Sequence, residues 1–249
     1  MPSGPTKRED RKVALVTGSA RRLGRQSALA LAKDGWDVVI NYAHSSREAA
    51  ATLKDIKALG VDALSVKADI TSSKQVNAMF NQTFGHFGHL DLLVNNAAIF
   101  PPPKKFTEIT DELWDYVIST NLTGQFYCAR AAARLMEEQG GKIINFASLG
   151  GLQSWPDHIS YNVAKAGVIM LTKSLSRALA PKITVNAIAP GTIIIPGEES
   201  GEIKHIDEKK IPLQRYGEAG DIISALLYLA HADYVTGQII QVDGGRAIL

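Results

Sequence analysis

Cysteine is almost missing from this chain. Cys128 is the one thiol in 249 residues, so no disulfide can close within the chain, and a reducing, cytoplasmic setting fits. It falls in an Ala- and Leu-rich helical run and reads as a small core residue. Long apolar runs are missing too: no stretch approaches the roughly 20 residues of a membrane-spanning helix. Nor is there an excess of one charge. Twenty-seven Lys and Arg stand against 25 Asp and Glu, a formal net charge of +2, which gives no electrostatic reason to expect nucleic acid. No repeat, linker or second domain is visible, and no metal site is assigned. Residues 1–10 combine Pro, Gly and charge without the apolar centre of a signal peptide, and read as a disordered tail. What remains, 45% hydrophobic and 21% charged, is ordinary for a globular protein. Residues 11–249 suffice for one large domain with a well-buried core.

Short apolar runs alternate with helical patterns. Residues 13–17, 37–41, 63–67, 91–95, 142–147, 184–188 and 238–242 read as strands. Helical patterns run from Gly24 to Ala32 and over 46–59, 111–138 (long enough to need a bend), 166–180 and 219–231. The alternation predicts an α/β fold, a parallel seven-stranded sheet with helices on both faces.

Three constellations carry chemistry. The first strand runs into Gly18-Ser-Ala-Arg21-Arg22-Leu23-Gly24 and then a helix. In that context a glycine turn lets backbone N–H groups approach a pyrophosphate at the positive helix end. At the end of the second strand, an NAD-binding fold usually places an acid on the ribose 2′-hydroxyl. Asn41 and Tyr42 stand there instead. With no carboxylate to repel a 2′-phosphate, and with Arg21, His44, Ser45, Ser46 and Arg47 as candidate donors, NADP(H) is the expected cofactor. Third, Tyr161 and Lys165 are four apart and share a helix face. A phenol titrates near ~10, and a close ammonium lowers that by roughly 1–3 pH units, towards the range where a general acid or base works best. Ser148, at the end of the strand 142–147, could hold a substrate carbonyl. Phe100 lies just past the strand 91–95, at the edge where open α/β sheets bind ligands.

Together, Thr17-Gly18, Asn95-Asn96-Ala97-Ala98, Ser148, Tyr161-x-x-x-Lys165, Pro190-Gly191 and Val242-Asp243-Gly244-Gly245 resemble the short-chain dehydrogenase/reductase family, over nearly all the chain from about Arg11. The resemblance implies a Rossmann-type doubly wound fold. It also implies reversible hydride transfer between nicotinamide C4 and the carbonyl or imine carbon of a small-molecule substrate. Tyr161 would donate the proton. Lys165 would lower the tyrosine's pKa and hold the nicotinamide ribose. Ser148 would bond the substrate oxygen, and Asn121 would hold a water linking Lys165 to solvent. Leu23, Asp69 (on the adenine amino group), Ile70, Asn96, Ala97, Pro190, Gly191 and Ile193 would line the cofactor. Arg22 departs from the family's Thr-Gly-x-x-x-Gly-x-Gly at the middle glycine, where it could pair with phosphate or reach into the active site; Ala98 likewise replaces a glycine. Residues 192–217 match the family's variable substrate loop, a candidate lid. The runs 112–138 and 160–180 match helices that pack between subunits, so a homotetramer or homodimer is expected.

Two substrate classes compete. The segment 160–191 looks like a 3-oxoacyl-acyl-carrier-protein reductase. Arg22, Phe100 and Gly191-Thr-Ile-Ile-Ile look like pteridine reductases, with a dihydropterin lying flat against Phe100. Gln139 in place of a docking arginine counts against the first, and Ser148 in place of an aspartate against the second. A non-catalytic, cofactor-sensing member would usually lack the tyrosine or lysine, and this chain keeps all four catalytic positions.

Overall fold

The computed structural model describes residues 11–195 and 207–248; the expected tail 1–10 and the 196–206 part of the substrate loop lie outside the described residues. Seven strands, β1 (Val13–Val16), β2 (Asp37–Tyr42), β3 (Ala63–Lys67), β4 (Leu92–Asn95), β5 (Gly141–Phe146), β6 (Ile183–Pro190) and β7 (Ile239–Val242), form one sheet in the order β3-β2-β1-β4-β5-β6-β7. Every neighbouring pair is parallel.

The central strands are mostly apolar on both faces, as in the fully buried Val-Ala-Leu-Val of β1, because helices cover both sides of the sheet. Alternate residues of β1 point opposite ways. Ala14 and Val16 join Leu31, Ile56, Leu226 and Leu229 beneath α1 (Arg22–Lys33), α2 (Ser46–Ala58) and α7 (Ala219–His231). Val13 and Leu15 join Met79, Phe80, Cys128 and Met136 beneath α3 (Ser73–Phe87) and α5 (Gly124–Leu135). Each such Leu, Ile or Phe contributes roughly 1.5–3 kcal/mol relative to exposure.

Three departures from the sequence reading have local causes. The segment 73–87 is a helix, α3, started by Ser72, whose side chain accepts from the Gln75 N–H, and stopped at Gly88 with φ 79°. The expected 111–138 helix is α4 (Asp111–Ile118) and α5, joined by a wide π-turn over Ser119–Thr123 in which the Gly124 N–H reaches back to the Ser119 carbonyl. It also ends earlier, at Leu135. The helix expected over 166–180, α6, spans Ile159–Ala178 and so carries both Tyr161 and Lys165.

From β1 the chain winds outward through β2 and β3, and from β4 it winds the other way. The carboxyl ends of β1 and β4 therefore open a crevice at the point where the winding reverses, the usual ligand position in such sheets.

Candidate active site

A cleft of about 740 Å³ opens at that point. Its floor is the glycine turn. Gly18 has φ 62°, and a Cβ there would come 2.9 Å from the Ala97 Cα. A Cβ on Gly24 would come 2.4 Å from the Gly18 carbonyl oxygen and 2.5 Å from the Asn96 amide nitrogen. Only glycine lets these three segments approach. Asn41, fully buried, braces the turn by accepting from the Gly18 N–H at 3.2 Å and donating to the Ala68 carbonyl at 2.9 Å. Arg22 holds φ 54°, the left-handed conformation that glycine adopts freely, at the first residue of α1.

The expected cofactor residues Arg21, Arg22, Leu23, Gly24, His44, Ser45, Asp69, Ile70, Asn96 and Ala97 all line this cleft with Gly18. Asp69 also accepts from the Thr71 N–H and hydroxyl at 2.9 and 2.8 Å. Arg47 and Ser46 are not on the cleft wall, and neither are Pro190, Gly191 and Ile193 at the end of β6. Gly191 packs instead against the C-terminal turn, where a Cβ would meet the Asp243 Cα at 2.7 Å.

At the inner end of the cleft stands Tyr161, the first-turn tyrosine of α6. Lys165, one turn on, is 2% exposed and donates from Nζ to the Phe146 carbonyl at 2.7 Å. Its Nζ lies 5.8 Å from the centroid of the Tyr161 ring. Ser148, just past β5, lies close enough to Tyr161 to favour its ionised form, and accepts from the Gly150 N–H at 3.1 Å. Burial dominates the titration of both α6 groups. It raises the Tyr161 phenol above its ordinary value, with the Ser148 hydrogen bond pulling the other way. It lowers the Lys165 amine to about 7. The Lys165 amine faces a backbone carbonyl rather than the phenol oxygen, and burial rather than the amine sets the direction of the tyrosine's shift.

Asn121, at the centre of the π-turn, is fully buried, and its amide is spent on one residue. Its oxygen accepts from the Ile99 N–H and its nitrogen donates to the Ile99 carbonyl, both at 2.8 Å. It thereby fixes the segment leaving β4 that carries Phe100.

Phe100 lines the cleft and belongs to an aromatic group. Its ring stacks on His158 at 4.6 Å and 16°, and meets Tyr161 edge-on at 4.8 Å and 87°. Trp155 lies parallel to Tyr161 at 6.3 Å and 9°. Asp157 accepts from His158 at 2.8 Å, and that bond holds its carboxyl below the ordinary value. The Asp157 carbonyl accepts from the Lys104 N–H at 2.9 Å, tying the two loops together. Among the described residues no group of three or more His, Cys, Asp or Glu could hold a metal, and no helix is long and apolar enough to cross a membrane.

The sequence matches a family model described as Enoyl-(Acyl carrier protein) reductase over residues 18–247. The chain belongs to the short-chain dehydrogenase/reductase family. It is 42% identical over 240 residues to the 3-oxoacyl-[acyl-carrier-protein] reductase FabG of Staphylococcus aureus, covering 94% of this chain and 97% of that one. It is 41% identical over 242 residues to the 3-oxoacyl-[acyl-carrier-protein] reductase of Synechocystis sp., covering 95% and 97%. Among solved structures, a variant of actinorhodin polyketide ketoreductase with NADPH superposes with a TM-score of 0.89 at 32% identity, over 97% of this chain and 99% of that one. A variant of a Serratia marcescens short-chain dehydrogenase/reductase gives 0.89 at 31% identity, over 95% and 98%. The enzyme is accordingly an oxidoreductase of the C=O/CH–OH couple.

Several residues of this family member's site carry no earlier assignment. Tyr116 and Thr120 line the cleft from α4 and the π-turn. Trp155 lies parallel to Tyr161, and His158 stacks on Phe100. The signal for the last two was present: a tryptophan and a histidine in the short loop between Ser148 and Tyr161 have few places to go except against the site.

Proposed function

We propose that this chain is an NADP(H)-dependent reductase of 3-oxoacyl thioesters, the substrate class that the names of its relatives give. One observation carries the chemistry: Tyr161 stands on the cleft wall close to Ser148, and the buried Lys165 amine lies 5.8 Å from its ring centroid. The cofactor fits the opposite end. Gly18 and Gly24 leave no room for side chains, so backbone can approach a pyrophosphate. The end of β2 offers no carboxylate, and Arg21, His44 and Ser45 surround it. Bound there, the nicotinamide supplies the hydride.

The chain's own residues do the rest. Ser148 and Tyr161 hold the ketone oxygen, and Tyr161 gives that oxygen its proton, so ketone, hydride and proton together make a secondary alcohol. Burial keeps the phenol protonated at neutral pH, which suits an acid. The Ser148 hydrogen bond steadies the phenolate left behind. An amine that titrates at about 7 can both hold and give a proton at neutral pH, so Lys165 suits the return of a proton to Tyr161. Asn121 holds the Ile99 segment and through it Phe100. The dihydropterin reading is not carried forward: the relatives above are 3-oxoacyl reductases, and one face of Phe100 is already stacked on His158.

The test is steady-state reduction of acetoacetyl-coenzyme A with NADPH and with NADH. NADPH should give the higher kcat/KM. Tyr161→Phe should lower kcat by about 10²–10⁴-fold with NADPH affinity nearly unchanged. No thioester reduction by the wild type, a preference for NADH, or full turnover in the variant would each refute the corresponding part.

A further inference from the structure

The C-terminal turn reaches back to the substrate side of the cleft through a single side chain. After β7 the chain reverses at Asp243-Gly244-Gly245, where the glycines have φ 67° and 88°. The Asp243 carboxylate folds the turn by accepting from the Gly245 N–H at 2.9 Å and the Ala247 N–H at 2.7 Å. This aims Arg246 over the carboxyl ends of β6 and β7. Its Nη1 donates to the Thr192 hydroxyl at 2.9 Å, just beyond Pro190-Gly191. Its guanidinium carbon lies 5.6 Å from the centroid of Trp155. Its carbonyl accepts from the Gln153 side chain at 3.2 Å. One residue thus joins three segments that are distant in sequence.

Trp155 matters because of what it touches. It lies parallel to Tyr161, and its carbonyl accepts from the Asn162 side chain at 2.8 Å. A Cβ on Gly150 would come 3.0 Å from the Trp155 ring and 3.1 Å from the Tyr161 ring. Little slack remains between the tryptophan, the tyrosine and the loop that carries Ser148. A guanidinium over an indole is attracted to the ring face and restrains its tilt.

We infer that Arg246 is a positioning residue for carbonyl reduction: it acts through Trp155 and Thr192 to fix the substrate wall beside Tyr161, and it touches neither the reacting atoms nor the cofactor. This rests on the hydride-transfer reading above. Arg246→Ala should therefore raise KM for acetoacetyl-coenzyme A by about 3- to 30-fold, the range of one cation–π contact, with KM for NADPH unchanged. Arg246→Lys, which keeps a cation and a donor, should recover most of the loss. In a Trp155→Ala background, Arg246→Ala should have little further effect, because the contact it removes is already gone. A second arm needs no substrate. With Trp36 and Trp114 replaced by Phe, Trp155 is the sole fluorophore of the three tryptophans, and Arg246→Ala should increase its quenching by acrylamide. Failure of the wild type to reduce the thioester would end the substrate reading and leave this arm decisive. Unchanged quenching, additive effects in the double variant, or an equal rise in both KM values would each overturn the role of Arg246.

Discussion

Lys165→Met is expected to stabilise the protein at neutral pH while abolishing turnover, and the gain in stability can be sized. The amine is buried, and its pKa falls from 10.5 to about 7. Such a shift corresponds to a folding penalty on the order of 4–5 kcal/mol at pH 7 and below. Methionine has similar length and no charge to bury. It loses the donor to the Phe146 carbonyl, worth about 0.5–1.5 kcal/mol, and that carbonyl keeps the Gln125 side chain at 3.4 Å. The net gain at pH 7 should be on the order of 2–4 kcal/mol. Between about pH 7 and 10.5 the unfolded lysine is charged and the native one neutral, so the unfolded chain binds the extra proton and wild-type stability rises with pH. The advantage of the variant should therefore shrink towards pH 10. Urea denaturation of both proteins at pH 7 and near pH 10, with the slope m checked for constancy, measures this. A variant less stable at pH 7, or a difference independent of pH, would refute the reasoning.

Asn121→Ala leaves both backbone groups of Ile99 without their 2.8 Å partners, so it should cost roughly 2–5 kcal/mol in denaturant titration; a loss under about 1 kcal/mol would mean that the pairing is dispensable. Oxidation of the matching 3-hydroxyacyl thioester needs an ionised tyrosine, so its kcat/KM should keep rising through about pH 9. A plateau near pH 8 would show that Tyr161 titrates low. Phe126, Val163 and Met170 are exposed on α5 and α6, and light scattering at micromolar concentration should give a mass near four chains, which a monomer would contradict.

How much of this was legible follows from which signals are local. The sheet was, because a doubly covered parallel strand carries apolar residues on both faces, as Val38-Val39-Ile40 and Ile143-Ile144 do. The glycine turn was, because Gly18 and Gly24 leave a spacing that folding can only use tightly. Helix α3 was hidden: Val76, Met79, Phe80 and Thr83 face the core but are scattered among polar residues. The bend between α4 and α5 was foreseen, but not its form as a π-turn, since nothing in Ser-Thr-Asn-Leu-Thr marks a wide turn until Asn121 meets Ile99. Arg246 was hidden for the same reason. Its partners, Thr192, Gln153 and Trp155, lie far off in sequence and come together because β5, β6 and β7 are successive in the sheet.

The Tyr161–Lys165 pair shows what spacing alone leaves out. Four residues apart on a helix, the two groups are neighbours, and in water an ammonium beside a phenol favours the phenolate. Burial reverses that outcome without moving either residue. In solution a phenol near ~10 and an amine near ~10.4 compete almost equally for one proton. In a dry interior the charge-separated state, phenolate and ammonium, costs desolvation of both groups, while the neutral state costs neither. The phenol rises, the amine falls to about 7, and the proton rests on the tyrosine. That is the state in which the site can reduce a ketone. Negative charge developing on a substrate oxygen bonded to the phenol would make giving up that proton favourable. The alcohol offers no such drive in the other direction: the phenolate must already exist in a place that disfavours it. The same burial that lowers Lys165 therefore keeps Tyr161 in the acid form that a reduction would use, and a rise in pH populates the base form that an oxidation would need.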